Sequence, residues 1–314
     1  MHFCTALLAI LSATTVMGGV IPQGPGHVHL GPSNKKTQTS MKTTAESSDG
    51  GTDDYEFIWV GGVIEAPPAN DRFVSVSAKI IAPNPRFPAD DQGGIDYGAA
   101  AWLGIDGYNN LFVLQIGFLF RISAQGVISY DACYEVSSPS PSPAIKRTEN
   151  ADTLSKWYPG LPECVYIKEI TINPGDALSL SVESADGTAG TVTIENETRN
   201  QQFSMPLTAH DQSEVLLGQN AEWIVEEYQS TGKPRSQPPD FGSLEFTEAT
   251  AKTRDGLTLT PADGKLVDWA PKLSGSIGPG TVTITYTGED KDCSGAAGQS
   301  ESCPGPGNSG NTGG

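Results

Sequence analysis

In the run 111-LFVLQIGFLF-120, Gln115 is the one strongly polar side chain among ten residues. A strand carries its side chains alternately on two faces, and apolar residues fill both, so this amide is expected to be buried and to need hydrogen-bond partners. The segment 220-NAEWIVEEY-228 sets a matching puzzle. Its strand-formers Trp223, Ile224, Val225 and Tyr228 are interleaved with Glu222, Glu226 and Glu227, and a carboxylate among large apolar neighbours is costly unless it is solvated or partnered. Glu222, Ile224, Glu226 and Tyr228 share one face. A glutamate and a carboxamide can together hydrolyse a carbonyl compound. The carboxylate takes a proton from water, and an amide N–H donates to the oxygen that becomes negative. Glu226 is expected to be the base, with Gln115 beside it, and Glu222 to be a neighbour that tunes its pKa or, the favoured expectation, a solvated bystander.

Other chemistries are scarce. Of four histidines, His2, His27 and His29 lie near the N-terminus, leaving His210 in the turn-like 206-PLTAHDQS-213. Multi-histidine zinc sites and HExxH are excluded, and no GxSxG, P-loop, dinucleotide fingerprint, Asp-Thr-Gly or Asp-Ser-Gly is present. No metal and no cofactor is expected. A glutamate base with a reference pKa of about 4.3 works in mild acid, where histidine bases are protonated.

The 314 residues carry a net charge of -18, with 19 basic against 37 acidic side chains. That balance excludes nucleic acid and anionic membranes as partners, because both require clustered Lys and Arg. It also limits self-repulsion at low pH, when the carboxylates are neutral. Residues 3–17 form a single apolar run, too short to span a bilayer, so 1–18 is expected to be a secretion signal and the protein to be extracellular. Residues 19–54 lack apolar periodicity and read as a pro-segment. Its Lys35, Lys36 and Lys42 are suited to pair with carboxylates of a cleft. With Cys4 in the signal, Cys133, Cys164, Cys293 and Cys303 suggest two disulfides, the simplest pairing being 133–164 and 293–303. The sequon 196-NET-198 makes Asn196 a candidate glycosylation site.

The elements that must position these residues are short β-rich runs divided by turn residues. They are expected at 57–64, 72–81, 111–122, 126–136, 165–172, 177–184, 189–196, 243–249 and 279–288, with no βαβ alternation. This pattern predicts an all-β fold, a sandwich of two antiparallel sheets, over residues 55–288. A Pro/Ser-rich loop at 137–156 interrupts it, with Lys146-Arg147 as a candidate nicking site, and a Gly/Ser-rich tail follows at 289–314.

The blocks 58-IWVGGVI-64, 101-AWLGIDG-107, 114-LQIGF-118, 130-YDACYE-135 and 219-QNAEWIVEEY-228 resemble, in order, those of the glutamic peptidases, or eqolisins. The resemblance implies a concanavalin-like or jelly-roll sandwich with the site on one concave face. It places the catalytic pair at Gln115 and Glu226, with Trp59, Trp102, Asp106, Asp131, Glu135 and Tyr158 as substrate-binding or supporting residues. The implied function is a secreted, monomeric, pepstatin-insensitive acid endopeptidase acting on proteins or peptides. The chain departs from the family pattern at Leu119, where relatives have Asp, and at Cys133, where they have Trp. A binding-only relative of the same fold and a carboxylate-pair glycoside hydrolase are the alternatives.

Overall fold

Buried and part-exposed residues alternate along Phe73–Ile81, Ala177–Glu183 and Ala189–Asn196, and these strands pair accordingly. The computed structural model describes residues 59–91, 93–108, 110, 112–137, 156–157, 164–209, 215–227 and 236–289. The expected signal, the pro-segment, most of the 137–156 loop, Tyr158, His210, Cys293 and Cys303 lie outside these residues.

Seven strands form one sheet: β1 (Trp59–Ile64), β3 (Tyr97–Asp106), β4 (Val113–Ile122), β5 (Ile128–Ser137), β7 (Val165–Tyr166), β11 (Ala221–Glu227) and β14 (Lys265–Asp268). Their order is β14-β1-β11-β3-β4-β5-β7, antiparallel throughout. The second sheet contains β2 (Phe73–Ile81), β6 (Lys156–Trp157), β8 (Ala177–Glu183), β9 (Ala189–Asn196), β10 (Gln201–Ala209), β12 (Ser243–Thr253), β13 (Thr258–Leu259), β15 (Leu273–Gly278) and β16 (Thr281–Tyr286). Its order is β15-β16-β12-β2-β8-β9-β10-β6, with β13 beside β12. It too is antiparallel, apart from the two-residue contact of β6 with β10.

The two sheets enclose one apolar core. Phe73, Val76, Leu180, Val192, Ile194 and Phe246 come from the nine-stranded sheet, and Leu103, Ile105, Leu114, Ile116, Phe118, Phe120, Trp223 and Val225 from the other. Burying aromatic and branched side chains at about 1.5–3 kcal/mol each drives this packing. The seven-stranded sheet is unusual in being apolar on both faces: β3 is buried at all ten positions. Its outward residues form a second cluster of Trp59, Val63, Ala100, Trp102, Tyr108, Leu119, Cys133, Ile224 and Val267.

Three expectations change. The run 165–172 pairs as a strand at Val165–Tyr166 alone. Beyond it, side chains satisfy the backbone: Thr171 N donates to Gln201 Oε1, and Thr171 O accepts from Asn196 Nδ2. Ile167, Ile170 and Ile172 are buried in the core without a ladder. Pro206 lies inside β10 and not in a turn; it is paired on one side with Thr191, and a proline without an N–H is tolerated where a strand lacks a second neighbour. Finally, Asn196 is fully buried, donating to Thr171 O and Asp176 Oδ2 and accepting from Arg199 N. A glycan on that nitrogen is incompatible with the fold, which corrects the sequon reading.

Candidate active site

Three rows of side chains cross the outward face of the seven-stranded sheet, and strand register dictates their membership. The first runs Val63, Glu222, Gly104, Gln115, Glu135. The second runs Gly61, Ile224, Trp102, Gly117, Cys133. The third runs Trp59, Glu226, Ala100, Leu119, Asp131. Gln115 therefore faces Glu222 across a glycine. Glu226 shares their face but is displaced by four residues, about 13 Å along the strand at roughly 3.3 Å per residue. The expectation of Glu226 beside Gln115 does not match this register. Period-two alternation places both glutamates on one face, and the antiparallel pairing of β11 with β3 selects the first of them.

Gly104 lets the two side chains meet. A Cβ there would lie 2.9 Å from Gln115 Cβ and 3.1 Å from Glu222 Oε1. Gly107, at φ +105, packs equally closely, its would-be Cβ 3.1 Å from the same Glu222 oxygen. Sequence reasoning missed both glycines, although each sits in the quoted 101-AWLGIDG-107. A small residue directly opposite a buried amide was the available signal.

Glu222 is fully buried, and Gln115 is 4% exposed. Gln115 Nε2 donates to Glu135 Oε2 at 2.9 Å. Three buried oxygens, Gln115 Oε1 and both of Glu222, have no hydrogen-bond partner among the described residues. Burial pushes the Glu222 carboxyl well above the usual range, and the charges of Asp106, Glu226 and Glu135 push the same way. Burial also raises Glu135, against the opposing hydrogen bond from Gln115.

The other expected residues surround this row. Asp106, at φ +66, is fully buried and accepts from the backbone N–H groups of Leu217, Gly218 and Gln219 and from Asn110 Nδ2. It clamps the segment that leads into β11, up to three residues before Glu222, and so fixes how that strand enters the sheet. Trp102 lies over Gly117, whose would-be Cβ is 2.6 Å from its ring. Trp59 stacks on Trp269 at 6.4 Å, and Trp269 on Tyr108 at 5.9 Å, forming an aromatic flank. Asp131 pairs with Arg121 at the far end of β4 and β5. Cys133, at the end of the second row, is bonded to Cys164, the pairing expected from the sequence. Among the described residues, no group of His, Cys, Asp and Glu is arranged to hold a metal ion.

An all-β sandwich with a buried Gln–Glu row on one sheet defines a recognisable class. The Peptidase A4 family matches residues 58–153 and 144–286, so the chain belongs to that family, the glutamic peptidases or eqolisins, which are acid proteases. It is similar to Aspergillopepsin-2 of Aspergillus niger, at 28% identity over 320 residues, covering 91% of this chain and 100% of the relative. Scytalidopepsin B of Scytalidium lignicola is 30% identical over 182 residues, 55% of this chain and 58% of that protein. Among solved structures, scytalido-glutamic peptidase with a transition state analog inhibitor superposes with a TM-score of 0.56 at 25% identity, covering 74% of this chain and 98% of that one. An eqolisin in complex with the tripeptide Ala-Ile-His gives 0.53 at 26% identity, with the same coverage. Membership places the chain among endopeptidases and not among glycoside hydrolases. No helix among the described residues is long and apolar enough to cross a membrane.

Proposed function

We propose that the protein is a secreted acid endopeptidase in which Glu222 and Gln115 hydrolyse peptide bonds with a water molecule as nucleophile. The observation that carries this reading is the set of three buried oxygens, unpartnered among the described residues, on two side chains meeting over Gly104. A group made of acceptors alone calls for a donor, and water supplies two hydrogens in one molecule. Glu222 accepts one proton as the water oxygen bonds to the peptide carbonyl carbon, whose π electrons move to its oxygen. The second N–H of Gln115 donates to that oxyanion. As the tetrahedral intermediate collapses, the C–N bond breaks and the protonated Glu222 returns its proton to the leaving amine. The products are a carboxylic acid and an amine, and no metal or histidine takes part.

Glu226 is assigned a different part from the one the resemblance implied. It is a rim carboxylate of the third row whose charge helps to hold the Glu222 pKa up. The base is ionised only above that raised pKa, so activity rises through mild acid. Peptide substrates fit the face, since solved relatives carry a tripeptide or a transition state analog inhibitor. Lacking an aspartic dyad, the site is expected to be insensitive to pepstatin. The testing experiment measures cleavage of denatured protein by Glu222→Gln and Gln115→Ala beside wild type. Loss in both supports the dyad, and wild-type rates in either exclude it.

A further inference from the structure

We infer that Glu135 is a positioning residue that fixes which way the Gln115 carboxamide faces. The inference rests on the dyad proposed above and assigns the group that makes it one-handed. A glutamine amide has two nearly isosteric ends: Nε2 donates two hydrogens, while Oε1 only accepts. Oxyanion stabilisation requires the nitrogen to face the substrate carbonyl, and holding the attacking water beside Glu222 requires the oxygen to face inward. Rotation of the amide by half a turn exchanges these roles and removes the oxyanion donor.

Glu135 stands next to Gln115 in the register, on the side away from Glu222. Its Oε2 accepts one Nε2 hydrogen at 2.9 Å, which leaves the second hydrogen for substrate and turns Oε1 into the buried interior. In the rotated amide, Oε1 would face the Glu135 carboxylate at that distance with no proton between two acceptors. An ionised Glu135 therefore repels the wrong orientation as well as binding the right one, and hydrogen bonds to charged groups are the stronger kind. Among the described residues, the charged groups around Glu135 do not offer Gln115 a substitute. On β11, Glu222 and Glu226 are carboxylates, and so is Asp106 on β3. On β4, Arg121 is engaged by Asp131 at the opposite end of the strand pair. β7 brings Tyr166 opposite Cys133, one row away. Glu135 also adds a negative charge beside Glu222, so its removal relieves one of the charges opposing ionisation of the base.

The test compares kcat and KM for a protein substrate from pH 2 to 7 in wild type, Glu135→Leu, Glu135→Gln and Glu222→Gln. Glu135→Leu removes the acceptor and is expected to lose about 10²-fold in kcat, the scale of a lost oxyanion donor, with KM little changed. Glu135→Gln keeps an acceptor oxygen for Nε2 and is expected to recover most of that loss. Because it carries no charge, the acid limb of its rate profile moves to lower pH. The limb reports the Glu135 charge beside Glu222, and the kcat-specific loss in Glu135→Leu reports the positioning, since a purely structural role would change KM and melting temperature along with kcat. Wild-type kcat in Glu135→Leu, or an unmoved limb in Glu135→Gln, overturns the inference. Should the leucine variant fail to fold, Glu135→Met, which also lacks an acceptor but keeps the side-chain length, takes its place with the same expected loss in kcat. Activity persisting in Glu222→Gln would instead remove the dyad and this inference with it, whereas an inactive Glu222→Gln beside unaffected Glu135 variants removes this inference alone.

Discussion

Glu222 and Glu226 lie four residues apart on the same face of β11, in different surroundings. Glu222 is fully enclosed, its oxygens without partners among the described residues and its pKa held up by burial and by three neighbouring carboxylates. Glu226 lies in the row of Trp59, Ala100 and Leu119. Replacing Glu226 by Gln withdraws one charge from Glu222, which lowers the pKa of the base. The sign follows: the base is ionised at lower pH, so the acid limb of the kcat/KM profile shifts downward while most activity is kept. Gln115→Ala leaves Glu222 intact and is expected to reduce kcat by about 10²–10³-fold, the usual cost of one oxyanion donor. Of these residues, Gln115 was legible because a lone amide in an apolar run has few explanations. The choice between the glutamates was not legible, because alternation gives them the same face and pairing with a strand more than a hundred residues away selects one.

At the level of elements, β3 is the spacer between Glu222 and Gln115, the proposed dyad. Gly104→Ala would set a Cβ 2.9 Å from Gln115 Cβ and 3.1 Å from Glu222 Oε1. Its backbone is extended and tolerates alanine, so the expected result is at least a tenfold fall in kcat/KM with only a modest drop in melting temperature. Asp106 at the end of β3 acts on a loop 111 to 113 residues later. Asp106→Ala leaves three backbone N–H groups without their acceptor, at about 1–3 kcal/mol for each buried donor. Both stability and kcat are expected to fall, measured by thermal melting and by steady-state rates. Strand positions such as β2, β8 and β9 were readable from their alternation. Tyr97–Asp106 was visible only as part of a motif, since its two faces are equally apolar and it carries no period. The sequon at Asn196 was misread for a related reason: a tripeptide pattern does not report that its amide is a buried cross-brace to Asp176 and Thr171.

In the whole molecule, with a net charge of -18, two buried carboxyls shift in opposite directions. The Glu222 carboxyl is raised in the folded state, so the folded protein binds the proton more tightly than the unfolded chain. Its contribution is fully present below the unfolded pKa of about 4.3 and is lost as pH rises through the folded value. Asp176 shifts the other way. Burial acts to raise it, but hydrogen bonds from Asn196, Arg199 and the Asn173 backbone prevail and lower it. Its contribution is present above the unfolded value and is lost as pH falls through the depressed one. Together these two groups stabilise the fold most between the depressed Asp176 value and the raised Glu222 value. Glu222→Gln removes the first effect, so its melting temperature at pH 7 is expected to exceed that of wild type, by about 2–4 °C per kcal/mol for a domain of this size, with little difference near pH 3.5. An unchanged difference across pH would remove the buried, raised carboxyl from the account.

The most direct test of the central claim is the pH–rate profile for protein cleavage between pH 2 and 7, in the presence of pepstatin, for wild type, Glu222→Gln and Glu226→Gln. The account predicts acid activity that survives pepstatin, is abolished in Glu222→Gln, and persists in Glu226→Gln with its acid limb at lower pH. Activity retained in Glu222→Gln and abolished in Glu226→Gln would contradict it, moving the base to the rim of the sheet, four strand positions from the Gln115 row.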